Sequence, residues 1–110
     1  MPKPQLDLLH GTLDLLVLRT LAWEPMHGYG IAQFVKARTD GAIAIESAAL
    51  YQALHRLEKR KLVRASWGVS ETNRRARFYE LTAAGRAALK TQSTDLRAYV
   101  TAIYRVLDAR

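Results

Sequence analysis

The stretch SAALYQALHRLEKRKLVRASWGVSETNRRARFYEL, residues 47–81, changes periodicity partway along, and that change decides the fold. From about Ser47 to Lys59, Leu50, Leu54 and Leu57 fall on one face of a helix, as 3.6 residues per turn requires. Ser47 is expected to be its N-cap. From Leu62 the pattern becomes that of strands, Leu62 to Trp67 and then Ala76 to Leu81, joined by the polar, basic loop of residues 68–75. A helix followed at once by a basic hairpin is therefore expected.

Charge concentrates in these same elements. Between His55 and Arg77 stand eight basic residues, Arg56, Lys59, Arg60, Lys61, Arg64, Arg74, Arg75 and Arg77, against only Glu58 and Glu71 as acids. The whole chain has a formal charge of +7, so this one segment carries most of it. Such a surface suits a polyanion, of which nucleic acid is the commonest. At roughly 100° of turn per residue, Gln52, His55, Arg56 and Lys59 face away from the leucine stripe. Gln can pair with adenine, and Arg or Lys with guanine or phosphate. Tyr51 sits at the side of the helix, where its hydroxyl can reach a phosphate.

Working outward, Thr12 to Trp23 reads as an amphipathic helix with Leu13, Leu16, Val17 and Leu21 on its stripe, Thr12 as N-cap and Asp14 in the first turn. Pro25 closes it. A second helix runs from His27 or Gly28 to about Arg38, buries Ile31, Phe34 and Val35, and stops near Asp40-Gly41. Gly28 and Gly30 lower its propensity but permit close helix packing. Ala42 to Ile45 reads as a minor strand or extended link. From Thr82 a last helix carries Leu89, Leu96, Val100, Ile103 and Leu107 at spacings of three, four or seven.

Helix, helix, helix and basic hairpin is the order of a winged helix-turn-helix, in which the third helix enters the major groove and the hairpin touches the flanking backbone. The expected fold class is mainly α with a small β-hairpin wing. Residues 1–81 are expected to form the DNA-binding unit and residues 82–110 a C-terminal dimerisation helix. The expected DNA contacts are Ser47, Tyr51, Gln52, His55, Arg56, Lys59, Asn73, Arg74, Arg75 and Arg77. The expected dimer contacts are Leu13, Leu89, Leu96, Val100, Ile103 and Leu107.

Composition supports one folded domain and excludes several chemistries. The chain has 110 residues, 49% hydrophobic and 25% charged, and no cysteine, so disulfides and thiolate metal sites are ruled out. Charges interrupt every apolar run well short of a membrane span, so a soluble, cytoplasmic protein is expected, with no membrane partner. His10, His27 and His55 share no ligand spacing, so packing or polar roles are expected and no metal. No nucleophile has a paired base, and Gly28-Tyr29-Gly30 does not follow an expected strand as a phosphate loop would. No enzyme and no cofactor is expected. Trp23 and Trp67 are expected as core or interface aromatics.

Four segments in order resemble one known family. They are Leu9-His10-Gly11-Thr12-Leu13-Asp14, Met26-His27-Gly28-Tyr29-Gly30-Ile31, Leu50-Tyr51-Gln52-Ala53-Leu54-His55-Arg56-Leu57-Glu58, and Arg74-Arg75-Ala76-Arg77-Phe78-Tyr79-Glu80-Leu81-Thr82. Together they are similar to the PadR family of transcriptional regulators, in its short subgroup with one terminal helix. The resemblance implies a winged-helix repressor that binds a palindromic operator in double-stranded DNA as a homodimer, dimerising through its C-terminal helix with the N-terminal helix contributing. In some members it also implies a response to small aromatic or drug-like effectors. The chain departs from the family pattern at Ala48-Ala49, where Gly-Ser is usual, and at Gln52, where Pro is usual, so a serine phosphate contact is absent at Ala49. Lys61 stands where glycine is common; if that position has positive φ, lysine costs about 1 kcal/mol there. Two other readings of the residues stay open: a winged-helix interaction module for an acidic protein partner, and RNA binding, which more often shows exposed aromatic platforms on a sheet.

Overall fold

The computed structural model describes residues 11–110. Leu9 and His10 of the first motif, and with them the start of the expected 1–81 unit, lie outside the described residues. Among the described residues the order is α1 (Thr12–Trp23), β1 (Met26–His27), α2 (Gly28–Arg38), α3 (Ser47–Lys59), β2 (Val63–Val69), β3 (Arg75–Leu81) and α4 (Ala83–Leu107). The strands form one antiparallel sheet in the order β1-β3-β2. The fold is mainly helical with a small wing, as expected.

The core lies between the first three helices and the inner end of β3. Val17, Leu18 and Leu21 of α1, Ile31 of α2, and Leu50, Leu54 and Leu57 of α3 meet Leu62, Val63, Tyr79 and Leu81. Each large apolar side chain so buried contributes about 1.5–3 kcal/mol. The helix α1 is rotated from its expected stripe: Leu15 and Leu18 are buried while Leu16 is only partly so. The cause is that α1 touches α2, α3, α4 and β3, so more than one of its faces is covered. Buried Thr20 satisfies its hydroxyl by donating to the Leu16 carbonyl at 2.8 Å.

Three local expectations are corrected. Thr12 and Ser47 are the first helical residues and not the caps; Gly11 and Glu46 are the N-caps, without a side-chain bond. These helix starts are therefore set by burial of the following turns. Residues 42–45 form no strand, and the third strand is β1, which pairs Met26 with Tyr79 and His27 with Phe78. Its position also means that Gly28 does directly follow a strand, but an antiparallel one of two residues. That is not the parallel βαβ setting of a dinucleotide-binding loop.

The exit from α3 governs the wing. Lys61 has φ 61°, its N–H donates to the Glu58 carbonyl at 2.9 Å, and the Leu62 N–H donates to the Leu57 carbonyl at 2.9 Å. This pair of bonds is a Schellman cap, with a left-handed residue just past the helix and an apolar contact closing it. Thr82 then fastens α4 to the same turn. Its hydroxyl donates to the Lys61 carbonyl at 2.7 Å and accepts from the Gly85 N–H at 3.0 Å, while its own N–H donates to the Leu62 carbonyl at 3.1 Å.

A β-carbon at Gly85 would collide with the Leu62 carbonyl, which is backbone and has no rotamer to yield. Gly85→Ala should therefore lower the unfolding free energy by about 1–3 kcal/mol in urea titration followed by circular dichroism. Lys61→Gly should raise it by up to about 1 kcal/mol, because glycine is at ease in the left-handed region. A wild-type midpoint for Gly85→Ala would show that α4 is not seated on this turn.

Candidate nucleic-acid interface

Because Leu50, Leu54 and Leu57 are buried, α3 must turn its other face outward. Gln52, His55 and Lys59 are exposed there together, and Ser47 is exposed in the first turn. Tyr51 and Arg56 occupy opposite flanks, roughly 140° apart on a helix of 100° per residue. Tyr51 lies against the N-terminus of α2: a β-carbon on Gly28 would stand 2.9 Å from the phenol oxygen, so glycine is what allows this approach. Arg56 turns the other way, and its Nη2 donates to Asp14 Oδ1 of α1 at 2.7 Å. This bond, and then the charge of Asp14, raise the Arg56 guanidinium above its ordinary pKa.

The α2 N-terminus is capped by His27, whose Nδ1 accepts from the Gly30 N–H at 3.0 Å. That acceptor role requires an unprotonated Nδ1. The His27 ring also meets Phe78 edge-on at 5.2 Å, tying helix cap to wing. Between this cap, Tyr51 and the wing face bearing Trp67, Arg75 and Arg77 lies an open groove of about 1040 Å³. Tyr79 forms part of its wall, and burial pushes its phenol up against an opposing pull from Arg77.

The wing tip is a tight loop. The Ser70 N–H donates to the Arg74 carbonyl at 2.7 Å, the Asn73 N–H donates to the Ser70 carbonyl at 2.9 Å, and Asn73 has φ 60°. Asn is one of the few non-glycine residues at home in that conformation. Arg74 and Arg75 follow, both exposed. The Arg75 guanidinium stacks over the Trp67 ring at 4.6 Å, which orients the cation without neutralising it.

Of the eight cations noted in the sequence, three are already paired: Arg56 with Asp14 at 2.7 Å, Arg77 with Glu58 at 2.8 Å, and Arg64 with Glu80 at 2.9 Å. Lys59, Arg60, Lys61, Arg74 and Arg75 form no ion pair with a described residue. The electrostatic footprint is thus narrower than the composition implies, one patch at the end of α3 and one at the wing tip. Trp23 and Trp67 are not core residues; they are 61% and 62% exposed, and each lies under an arginine, Arg38 or Arg75. Sequence patterning offered no sign of the Asp14 and Glu58 pairings or of the His27 cap. The stacking of Arg75 on Trp67 was in principle readable, since both lie on one face of a hairpin.

The residues expected at a dimer contact divide into two groups. Leu13 and Leu89 are partly buried against the chain's own core, and Leu96 and Val100 are partly covered. Ile103 and Leu107 are 38% and 69% exposed, in company with Tyr99, Tyr104 and Val106. Among the described residues no group of His, Cys, Asp and Glu is placed to hold a metal ion, and no helix is long and apolar enough to cross a membrane.

Comparison with known proteins adds an independent line. The family model described as "Transcriptional regulator PadR-like family" matches residues 17–91. An uncharacterized protein of Lysinibacillus sphaericus is 32% identical over 83 residues, which cover 76% of this chain and 76% of that protein. The chain is also similar to the solved structure of a transcriptional regulator from Clostridium thermocellum, with TM-score 0.79 and 27% identity over 86% of this chain and 89% of that one. A PadR family transcription regulator from hypervirulent Clostridium difficile R20291 has TM-score 0.77 and 25% identity, over 88% of this chain and all but a small part (99% covered) of its own.

If the wing tip meets a nucleic-acid backbone, Arg74→Ala with Arg75→Ala should weaken binding to every duplex and flatten the salt dependence by about one unit per lost phosphate contact. Sequence preference should persist. Fluorescence anisotropy across a salt series reads both quantities, and an unchanged slope would place the wing outside the interface.

Proposed function

The chain belongs to the PadR-like family of transcriptional regulators, and on that premise we propose that it is a repressor that binds a palindromic operator as a homodimer and is released by a small aromatic or drug-like effector. It is a winged-helix DNA-binding regulator of that family. The observation that carries the finer reading is the polar face of α3, which stands exposed beside a wing tip bearing two arginines that form no ion pair with a described residue.

In this reading Gln52, His55 and Lys59 read base edges from the major groove, while Ser47, Tyr51, Asn73, Arg74 and Arg75 hold the sugar-phosphate backbone. Arg56 and Arg77, committed to Asp14 and Glu58, stand outside the contact set. Residues 1–81 make up the DNA-binding unit. Residues 82–110 supply the dimer contact, supported by the apolar and aromatic surface that the distal half of α4 leaves exposed. A two-fold pair would place the recognition helices about one DNA turn apart, near 34–36 Å. The site of action is the chromosome, in the cytoplasm.

The deciding experiment is footprinting on the DNA upstream of the protein's own gene, in excess random duplex. Two protected half-sites about one turn apart support the proposal. Indifference to sequence, or capture of an acidic protein or an RNA in place of duplex, refutes it.

Two variants test its parts. Gln52→Ala should relax preference at one or two operator positions by about 1–3 kcal/mol, measured with single-base operator variants; equal loss on all sequences would make Gln52 a backbone contact. Ile103→Glu with Leu107→Glu should give a monomer in sedimentation and abolish tight operator binding, since a lone unit loses half its phosphate contacts. A dimer of normal affinity would assign self-association to another surface.

A further inference from the structure

Asp14 is not itself among the residues expected to touch DNA, yet it holds one of them, Arg56, at the border of the reading face. Arg56 is one helical turn from both Gln52 and Lys59, the spacing at which side chains on a helix are neighbours. With Tyr51, Gln52 and His55 it lines a shallow depression on that face. Its side chain is 51% exposed, so nothing steric keeps it from a phosphate running alongside α3. What holds it is the Asp14 carboxylate, 2.7 Å away and itself only 18% exposed. Asp14 lies in the first turn of α1, whose N-cap makes no side-chain bond, so its side chain stands at the positive end of the helix dipole. The carboxylate is a charge-assisted acceptor for a guanidinium, as a phosphate oxygen is.

Resting on the DNA-binding reading above, we propose that Asp14 tunes the affinity for DNA without touching it: it occupies Arg56 and so removes one sequence-blind phosphate contact from the recognition helix. A phosphate contact strengthens binding to every duplex alike and deepens its salt dependence, and leaves the ratio of operator to random affinity where the base contacts set it. Asp14 therefore sets how tightly and how salt-sensitively the chain holds any duplex, while retaining the tie between α1 and α3. It is a positioning residue acting through Arg56.

The test is a double-mutant cycle on the full chain, using the duplex upstream of the protein's own gene and a random duplex of equal length, each across a salt series. Asp14→Asn should bind the random duplex roughly two- to fivefold more tightly, the gain a surface ion pair can withhold. Its salt slope should steepen by about 0.9, one phosphate contact, and the operator should gain equally, so that the ratio of operator to random affinity holds. Arg56→Gln should keep the wild-type slope, and Asp14→Asn in the Arg56→Gln background should gain nothing further.

Three results would overturn the assignment. An equal gain from Asp14→Asn with Arg56 already removed would mean simple loss of a negative charge near DNA. A slope flattened by about one unit in Arg56→Gln would mean that Arg56 contacts phosphate despite Asp14. A lower melting temperature and weaker binding of Asp14→Asn at unchanged slope would reduce the pair to a tie between helices. Failure of the underlying reading looks different, because the wild-type chain would then show no salt-dependent duplex binding at all.

Discussion

The hydroxyl of Thr82 holds the molecule together at the point where its three working elements meet. It donates to the Lys61 carbonyl, in the turn that ends α3 and begins β2, and accepts from the Gly85 N–H at the start of α4. Gly85 in turn lies against the Leu62 carbonyl so closely that no β-carbon fits. The angle between α3 and the wing is set by the left-handed backbone at Lys61, and the direction of α4 is set by the same few atoms. An orphan donor at a helix start and two carbonyls of a turn are satisfied in one exchange, as buried backbone groups must be. Any rearrangement of α4 therefore acts first on the root of the recognition helix.

The distribution of ion pairs decides how much of the chain's charge is available to a partner. Arg56, Arg64 and Arg77 are each answered by an acid of the protein itself. Individually such exposed pairs stabilise the fold by only about 0–1 kcal/mol. Their larger effect is spatial: of the eight cations between His55 and Arg77, those without an ion pair to a described residue lie at the C-terminal end of α3 and at the wing tip. A polyanion meeting this surface is gripped at two places, with the polar face of α3 between them. Charge balance and reading geometry are thus parts of one arrangement.

The helices and the hairpin were legible because each repeats a period. The leucines of α3 recur every three or four residues over 13 positions, and the hairpin alternates about a loop rich in turn formers, so their bounds came within two residues. The strand β1 was not legible, since two residues carry no period and its partner lies at Phe78 and Tyr79. The same limit hid the site's electrostatics. Arg56 and Asp14 are 42 positions apart, and Arg77 and Glu58 are 19 apart, so only the packing of α1 on α3 and of β3 on α3 reveals them. Of the two places expected for Trp67, core or interface, the core is excluded because the wing projects past it and an arginine covers the ring. Lys61 has a φ of 61°, the positive value under which lysine was expected to cost stability.

The brevity of β1 also shapes the mechanics of the wing. It pairs with β3 only at Phe78 and Tyr79, so the sheet has three strands at its root and two beyond it. Two-stranded ribbons twist more readily than wider sheets, and a hairpin alone is barely stable in water. The wing is therefore a cantilever, clamped where Tyr79 and Leu81 enter the core and compliant from about Arg77 outward. A side-chain cross-link along that outer reach is the Arg75–Trp67 stack, which involves the same cation offered at the surface. Drawing Arg75 away toward an anion would unload the stack and soften the beam, so that grip and compliance at the tip rise together.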